Sequence, residues 1–367
     1  MSRLTVSWNE LPRAQWDAAH GSAAASYQQD WAYGVALKSA SPGVEILRAS
    51  IARADGSILA LAQIVARPFA LVGRFALCTH GPAWVGAPTQ DEKREAYRLL
   101  RKSLPQGWPR LLVFTPDEPS GDASGLSGMS RVMTGDATVL IDLTQNEAAL
   151  RSAFESSWRN KLSKAERSDL VLQKSGLKPA QYRWLLDAET KQRQKRGYRA
   201  MPLELTERWQ DAKAEGANGD RGAGLAVFRA DMGRDAAAGM LFLIHGSRAT
   251  YHVGWTSEAG RDNAAHNLIL WSAMRDLKAR GVRALDLGGV NTQSGAGIAR
   301  FKLETGGAEQ TTLDVAHAVI DAGGKCLVAT RGGRMTARLE ADGGRLAQMP
   351  VQSKNPLVML GNAARLS

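Results

Sequence analysis

Two early stretches, 44–53 and 57–67, are rich in apolar residues on either side of Asp55-Gly56. That dipeptide suits the positive φ of a tight hairpin turn, so the pair reads as two antiparallel strands. An apolar run at 75–78 continues the sheet, 91–104 is a charged helix, and 110–115 is an apolar strand. A Gly/Ser/Asp-rich stretch at 117–131 reads as a loop and boundary. Strand 138–143 crosses into a second half. There Phe154, Trp158, Leu162 and Ala165 recur every three or four residues and predict a helix over 150–167. A basic helix follows at 179–196, then strands at 225–230, 238–245 and 249–255. Leu268, Trp271, Met274 and Leu277 give one apolar face to a helix that Gly281 ends. Arg275, Lys278 and Arg280 load its last turns, where the helix dipole favours cations. Residues 282–287 read as a buried strand opening on Gly288-Gly289. A small polar loop, 291–297, then leads to Phe301-Lys302. Residues 1–25 read as a polar lead-in, 313–320 and 325–330 as strands, and 335–339 as helical.

The order of strands, helix and strand occurs twice. It predicts an α/β (α+β) protein with mixed central sheets rather than one doubly wound sheet. The expected division is a first domain at 1–135, a second at 136–312, and a C-terminal extension at 313–367. A chain of 367 residues with 44% hydrophobic content supports two cores of ordinary size.

Charge adds a class of partner. The formal net charge of +11 attracts polyanions such as nucleic acid, phosphorylated substrates or an anionic membrane surface. No run of about 18 apolar residues and no signal-peptide core is present, so a cytoplasmic protein is expected. The two cysteines, Cys78 and Cys326, suggest neither a disulfide framework nor a metal site, and the six histidines are scattered. No G-x-S-x-G, H-E-x-x-H or Walker phosphate loop occurs. No metal is expected.

Several segments resemble the Fem family, the aminoacyl-tRNA-dependent transferases that build peptidoglycan cross-bridges. In the second half these are Trp158-Arg159-Asn160-x-Leu162-x-Lys164-Ala165, Asp286-Leu287-Gly288-Gly289, Gly297-Ile298, Phe301-Lys302 and Gly306-Gly307. In the first half it is the segment from Gln29 through Trp31-Ala32-Tyr33-Gly34 to Lys38. The resemblance covers about residues 26–312 and departs at Thr115, where the family often has an aspartate. It implies two tandem acetyltransferase-like (GNAT-type) domains. It implies transfer of an aminoacyl group from charged tRNA to the amine of a peptidoglycan precursor, nucleotide-linked or lipid-linked, with no further cofactor. Lys302 would stabilise charge at the transferred group, with Phe301 beside it. Trp31, Tyr33, Lys38, Arg159 and Lys164 would bind substrate. A family arginine before a Gly-aromatic pair is matched directly by Lys195, with Arg193 and Arg196 as alternatives and Tyr198 as the aromatic residue. Asp286 is a positional candidate for the general base, its other role being to cap the strand-end turn.

A second template stays open. Acetyltransferases hold the acetyl-CoA pyrophosphate with an Arg/Gln-x-x-Gly-x-Gly/Ala turn at a helix N-terminus. The corresponding place reads Arg261-Asp262-Asn263-Ala264-Ala265-His266. The alternatives are thus an acyl-CoA-dependent N-acyltransferase of the same fold, or a non-catalytic protein that binds tRNA or precursor.

Overall fold

The computed structural model describes residues 4–68, 74–106, 110–118, 130–131, 137–196, 202–290, 296–311, 317–320, 326–331, 334–339 and 350–351. The chain divides into two compact units. The first comprises Met1–Asp136, Arg199–Arg208 and Thr311–Ser367, and the second Ala137–Tyr198 and Trp209–Gln310.

In the first unit the elements are β1 (Thr5–Trp8), α1 (Arg13–Ala23), α2 (Trp31–Ala40), β2 (Glu45–Ala52), β3 (Ile58–Pro68), β4 (Arg74–Thr79), β5 (Ala83–Trp84), α3 (Gln90–Ser103), β6 (Arg110–Thr115) and β7 (Ser130–Arg131). The expected hairpin is β2–β3, with Gly56 at φ 82° in its turn. Helix α3 starts with a capping box in which Thr89 and Glu92 satisfy each other's backbone N–H. The stretch read as a polar lead-in instead forms β1 and α1, and α1 buries Trp16 completely. The Trp16 indole N–H donates to Gln29 O at 3.0 Å, which explains how a large side chain is buried beside so many polar residues.

The second unit contains β8 (Ala137–Asp142), α4 (Glu147–Ala153), α5 (Ser156–Glu166), β9 (Leu170–Lys174) and α6 (Pro179–Arg196). After α7 (Glu204–Gly216) come β10 (Leu225–Met232), β11 (Asp235–His245), β12 (Arg248–Thr256), α8 (Glu258–Asp262), α9 (Ala265–Ala279), β13 (Ala284–Val290), α10 (Ala296–Leu303) and β14 (Ala308–Thr311). The sheet runs β14-β8-β13-β12-β11-β10-β9. Its core packs Trp158, Phe228, Phe242, Ile269, Met274 and Leu277 between the helices and the strands. Residues 150–167 are not one helix. Phe154 and Glu155 are extended between α4 and α5, and Glu155 N–H donates to Glu304 O. The break lets the Phe154 and Trp158 rings meet with centroids 4.0 Å apart.

The segment set apart as a C-terminal extension adds a strand to the first sheet. β15 (His317–Ile320) pairs with β6 and β7, giving the order β1-β2-β3-β4-β6-β15-β7 with β5 on β3. β16 (Cys326–Arg331), β17 (Arg334–Leu339) and β18 (Pro350–Val351) make a small third sheet. Residues 335–339 are therefore strand rather than helix, since the pairing partner Cys326–Arg331 supplies what local propensity does not. Among the described residues no helix is long and apolar enough to cross a membrane.

Candidate functional site

The site is built where two parallel strands part. β12 and β13 pair only from Arg248–Thr250 to Ala284–Asp286. Beyond that, Leu241 pairs with Val253 and Phe242 with Tyr251, so His252 is an extra residue that bends β12. β13 bulges too: Asp286 faces Leu140 and Gly289 faces Thr138, with Gly288 at φ 71°. Glycine takes that conformation without the steric cost other residues meet.

Asp286 fixes the bulge. Its carboxylate accepts from Thr138 Oγ1, Gly288 N at 2.8 Å and an Arg248 guanidinium nitrogen at 2.7 Å. All of these bonds stabilise the turn, which makes Asp286 a strand-end cap.

Lys302 closes the opening from below. It lies on α10, which makes the Phe301-Lys302 stretch helical rather than a loop return. Only 7% of Lys302 is exposed. Its Nζ donates to Gly289 O at 3.0 Å and Gly288 O at 3.3 Å, and stands 5.8 Å over the Tyr251 ring. Burial lowers its pKa to about 8, against the opposing charge of Asp286. Phe301 is pinned by its carbonyl, which accepts from the Trp158 indole at 3.2 Å. Its ring centroid lies 6.0 Å from that of Trp158 and 6.1 Å from that of His266.

Above these residues is a cavity of about 760 Å³. Tyr251, Gly254 and Thr256 of β12 form one wall, and Lys161 and Lys164 of α5 another. Gly260, Arg261, Ala264, His266 and Asn267 supply the turn into α9, and Gly297, Ile298 and Phe301 come from α10. His266 Nε2 lies 3.0 Å from Trp255 O; a carbonyl only accepts, so this nitrogen carries the proton. Burial, with the Arg261 charge adding to it, lowers the His266 pKa to about 4, so its ring is neutral near pH 7. Burial, then Arg193, lowers His252 similarly to about 4.

The residues expected to bind substrate divide. Phe301 and Lys164 line the cavity, and Lys164 Nζ also donates to Asp262 O at 2.6 Å. Arg159 instead satisfies the carbonyls of Ser152 and Phe154 at the end of α4. Arg193 is held by Glu189 at 3.0 Å with both side chains largely covered. These two guanidiniums are occupied by local partners, which weakens their reading as phosphate ligands. Lys195 is exposed on α6. Arg196 ends that helix, its side chain lying outside the described residues, as does Tyr198.

In the first unit, Lys38 Nζ donates to Pro42 O and Val44 O, tying the end of α2 to the following turn. Trp31 lies under the Arg48 guanidinium at 3.7 Å. Tyr33 is buried edge-to-face on Tyr27, and its hydroxyl has no hydrogen-bond partner among the described residues. Sequence reasoning placed His266 at the end of the candidate pyrophosphate turn but missed Asn267 as a cavity residue. The one available signal was a polar residue among the apolar positions of a core helix.

Residues 152–303 match the family described as the acetyltransferase (GNAT) domain. The crystal structure of FemX superposes with a TM-score of 0.69 at 13% identity, covering 86% of this chain and 97% of that one. A conserved protein of unknown function from Bacteroides thetaiotaomicron VPI-5482 superposes with a TM-score of 0.52 at 12% identity, covering 86% of this chain and 100% of that one. No curated protein matches the chain in sequence. Residues 152–303 thus carry a GNAT-type acetyltransferase domain, and the class of the protein is acyltransferase. Its two-domain fold is Fem-like.

Proposed function

We propose that the protein moves an aminoacyl group from charged tRNA to the amine of a peptidoglycan precursor peptide, lipid-linked or nucleotide-linked. The observation that carries this reading is His266. In the acetyl-CoA turn its position belongs to a glycine or alanine, which leaves room for pyrophosphate. Here an imidazole lines the cavity at that place and is fixed on Trp255 O. The larger side chain at that place disfavours acyl-CoA, while a lip where Lys161, Lys164 and Arg261 outnumber Asp262 remains for a polyanionic donor.

The chemistry needs no covalent intermediate, because an aminoacyl ester is already activated. The acceptor amine attacks the ester carbonyl and the C–N bond forms. The C–O bond to the ribose then breaks, and the amine proton passes to the departing ribose oxygen. The chain positions both partners and stabilises the oxyanion. Lys302 has one N–H beyond the two given to Gly288 and Gly289, and its charge lies beside the cavity wall at Tyr251. Phe301 helps exclude water.

A direct assay separates the readings. The purified protein is given charged tRNA or acetyl-CoA, each with lipid-linked and nucleotide-linked precursors. Transfer from charged tRNA alone is expected. Transfer from acetyl-CoA alone would replace this reading with the acyl-CoA one, and transfer from neither would leave a binding protein.

A further inference from the structure

The cavity takes its charge and its apolar surface from different elements. Lys161 and Lys164 come from α5 and Arg261 from α8; all three are exposed, and Asp262 is the one acidic residue lining the same space. The apolar contribution comes from α10. Among the described residues three large hydrophobic side chains are exposed, and of these only Ile298 lines the cavity, at 51% exposure. Phe301 follows three positions later and lines it too, so the two share one face of the helix. Ala299 and Lys302 of the same helix are buried.

A single isoleucine on an open surface is ordinary. This one stands in the wall of a cavity with an aromatic ring one turn away, and in water it forgoes the stabilisation that a cover would give. Whatever covers it also faces the cations, which favours a ligand carrying negative charge. A nucleotide joins the two properties, since its phosphates are anionic and the face of its base is apolar. A polyprenyl diphosphate joins them as well, but its chain needs a long apolar track. Beyond Ile298, Phe301 and Tyr251 the lining offers only alanines as apolar side chains. Side chains three apart on a helix lie about 5–6 Å from each other, a separation that one ribose bridges. A base on Ile298 therefore leaves the ester of its ribose beside Phe301 and Lys302.

We propose that Ile298 is the contact for the terminal nucleobase of the charged tRNA, which lays its face on this side chain while its phosphates turn to Lys161, Lys164 and Arg261. This rests on the aminoacyl-donor reading above. An aliphatic side chain has no hydrogen-bonding group with which to read a base edge. The contact therefore adds affinity and fixes how far the acyl end reaches along α10, without selecting among bases.

The test uses an amide-linked, hydrolysis-resistant alanyl trinucleotide of the tRNA 3′ end, the same probe lacking its terminal base, and geranylgeranyl diphosphate. Dissociation constants are measured by calorimetry on the full chain. Removing the base is expected to weaken binding to the wild type by about 3- to 10-fold, the effect of covering half an isoleucine. Ile298→Ser should weaken the intact probe by the same factor and show no further loss when the base is removed. Its salt slope should equal that of the wild type, because the phosphate contacts remain. Its melting temperature should hold, because the side chain is exposed. Ile298→Leu should retain the base dependence. Equal binding of the intact and abasic probes by the wild type overturns the proposal. So does an equal loss of both probes in Ile298→Ser, which would place the effect in the cavity wall and not in the base. Loss of geranylgeranyl diphosphate binding in Ile298→Ser with trinucleotide binding intact would assign this side chain to a lipid and overturn it too. Absence of trinucleotide binding by the wild type defeats the aminoacyl-donor reading itself, whereas binding that ignores the base defeats this inference alone.

Discussion

Lys302 keeps an ammonium in a place where burial opposes it, with a pKa lowered to about 8. Two of its protons are used by Gly288 and Gly289 carbonyls, so its substitution tests two roles at once. If the charge stabilises the oxyanion, Lys302→Ala lowers turnover by about 100- to 1000-fold, the usual loss for one such electrostatic group. Lys302→Arg should rescue poorly, because a planar fork does not replace a compact ammonium on two adjacent carbonyls. Near-normal turnover of Lys302→Ala in a steady-state assay would leave Lys302 a purely structural clamp of the β13 bulge. The pH dependence follows from the same group. Below about pH 8 it is protonated in both folded and unfolded chains, and the full cost of burying the charge is present. Between about 8 and the ordinary 10.5 the folded chain releases the proton and the unfolded chain retains it. The Lys302 contribution to stability therefore rises with pH in that window. Turnover should fall through the same window as the ammonium is lost. Lys302→Met should remove the stability rise, measured by denaturant unfolding at pH 7 and pH 9.5.

Helix α10 shows why some elements were harder to read than others. α9 and β13 announce themselves because each buries a continuous apolar face, and their periods survive in the sequence. The eight residues of α10, AGIARFKL, hold a glycine, an exposed Ile298 and a buried Lys302, so no apolar stripe marks them. Similarly, the break between α4 and α5 is set by Glu155 bonding to Glu304 O, a contact 149 positions away that no local pattern records. Asn267 became legible only once the cavity beside α9 was seen, whereas His266 already closed the Arg261-to-His266 turn in the sequence. The return from α10 makes a sharp demand of its own. Gly306 has φ 69°, and a Cβ there would stand 2.0 Å from Ala153 O at the end of α4. Backbone cannot yield as a flexible side chain can. Gly306→Ala should thus destabilise the protein by roughly 2–4 kcal/mol, combining left-handed strain with overpacking. Gly288→Ala is the control: φ is 71°, but the nearest atoms are 3.6 and 3.8 Å away. It should cost only the conformational term of about 1–2 kcal/mol. Equal losses in chemical denaturation would show that the Ala153 contact is unimportant.

At the scale of the whole chain, the net charge of +11 gives a long-range attraction for polyanions that any basic protein shares. The doubled order of strands and helices was visible in the sequence, since each strand is short, apolar and bounded by turn residues. The return of β15 to the first sheet was not, because pairing across some 200 residues leaves no local trace. Charge also looked different once placed: Arg159 and Arg193 are absorbed by local partners, while Lys161, Lys164 and Arg261 gather at one cavity lip. Salt separates the general field from this local cluster. Exposed charges farther away than about 8 Å are largely screened at physiological ionic strength, whereas direct phosphate contacts release counterions and set the slope of log K against log salt. Replacing Lys161, Lys164 and Arg261 together by alanine removes three positive charges, but a net charge of about +8 remains by subtraction from +11. If the lip holds the tRNA backbone, the slope for tRNA binding should become shallower by about 2–3, close to one for each lost phosphate contact. If the whole-molecule field dominates, affinity falls modestly and the slope hardly changes. Fluorescence titrations between 50 and 200 mM salt, conditions over which phosphate-contacting proteins lose affinity steeply, measure the difference directly. An unchanged slope with normal transfer would move the tRNA backbone away from this cavity lip and onto another basic surface of the chain.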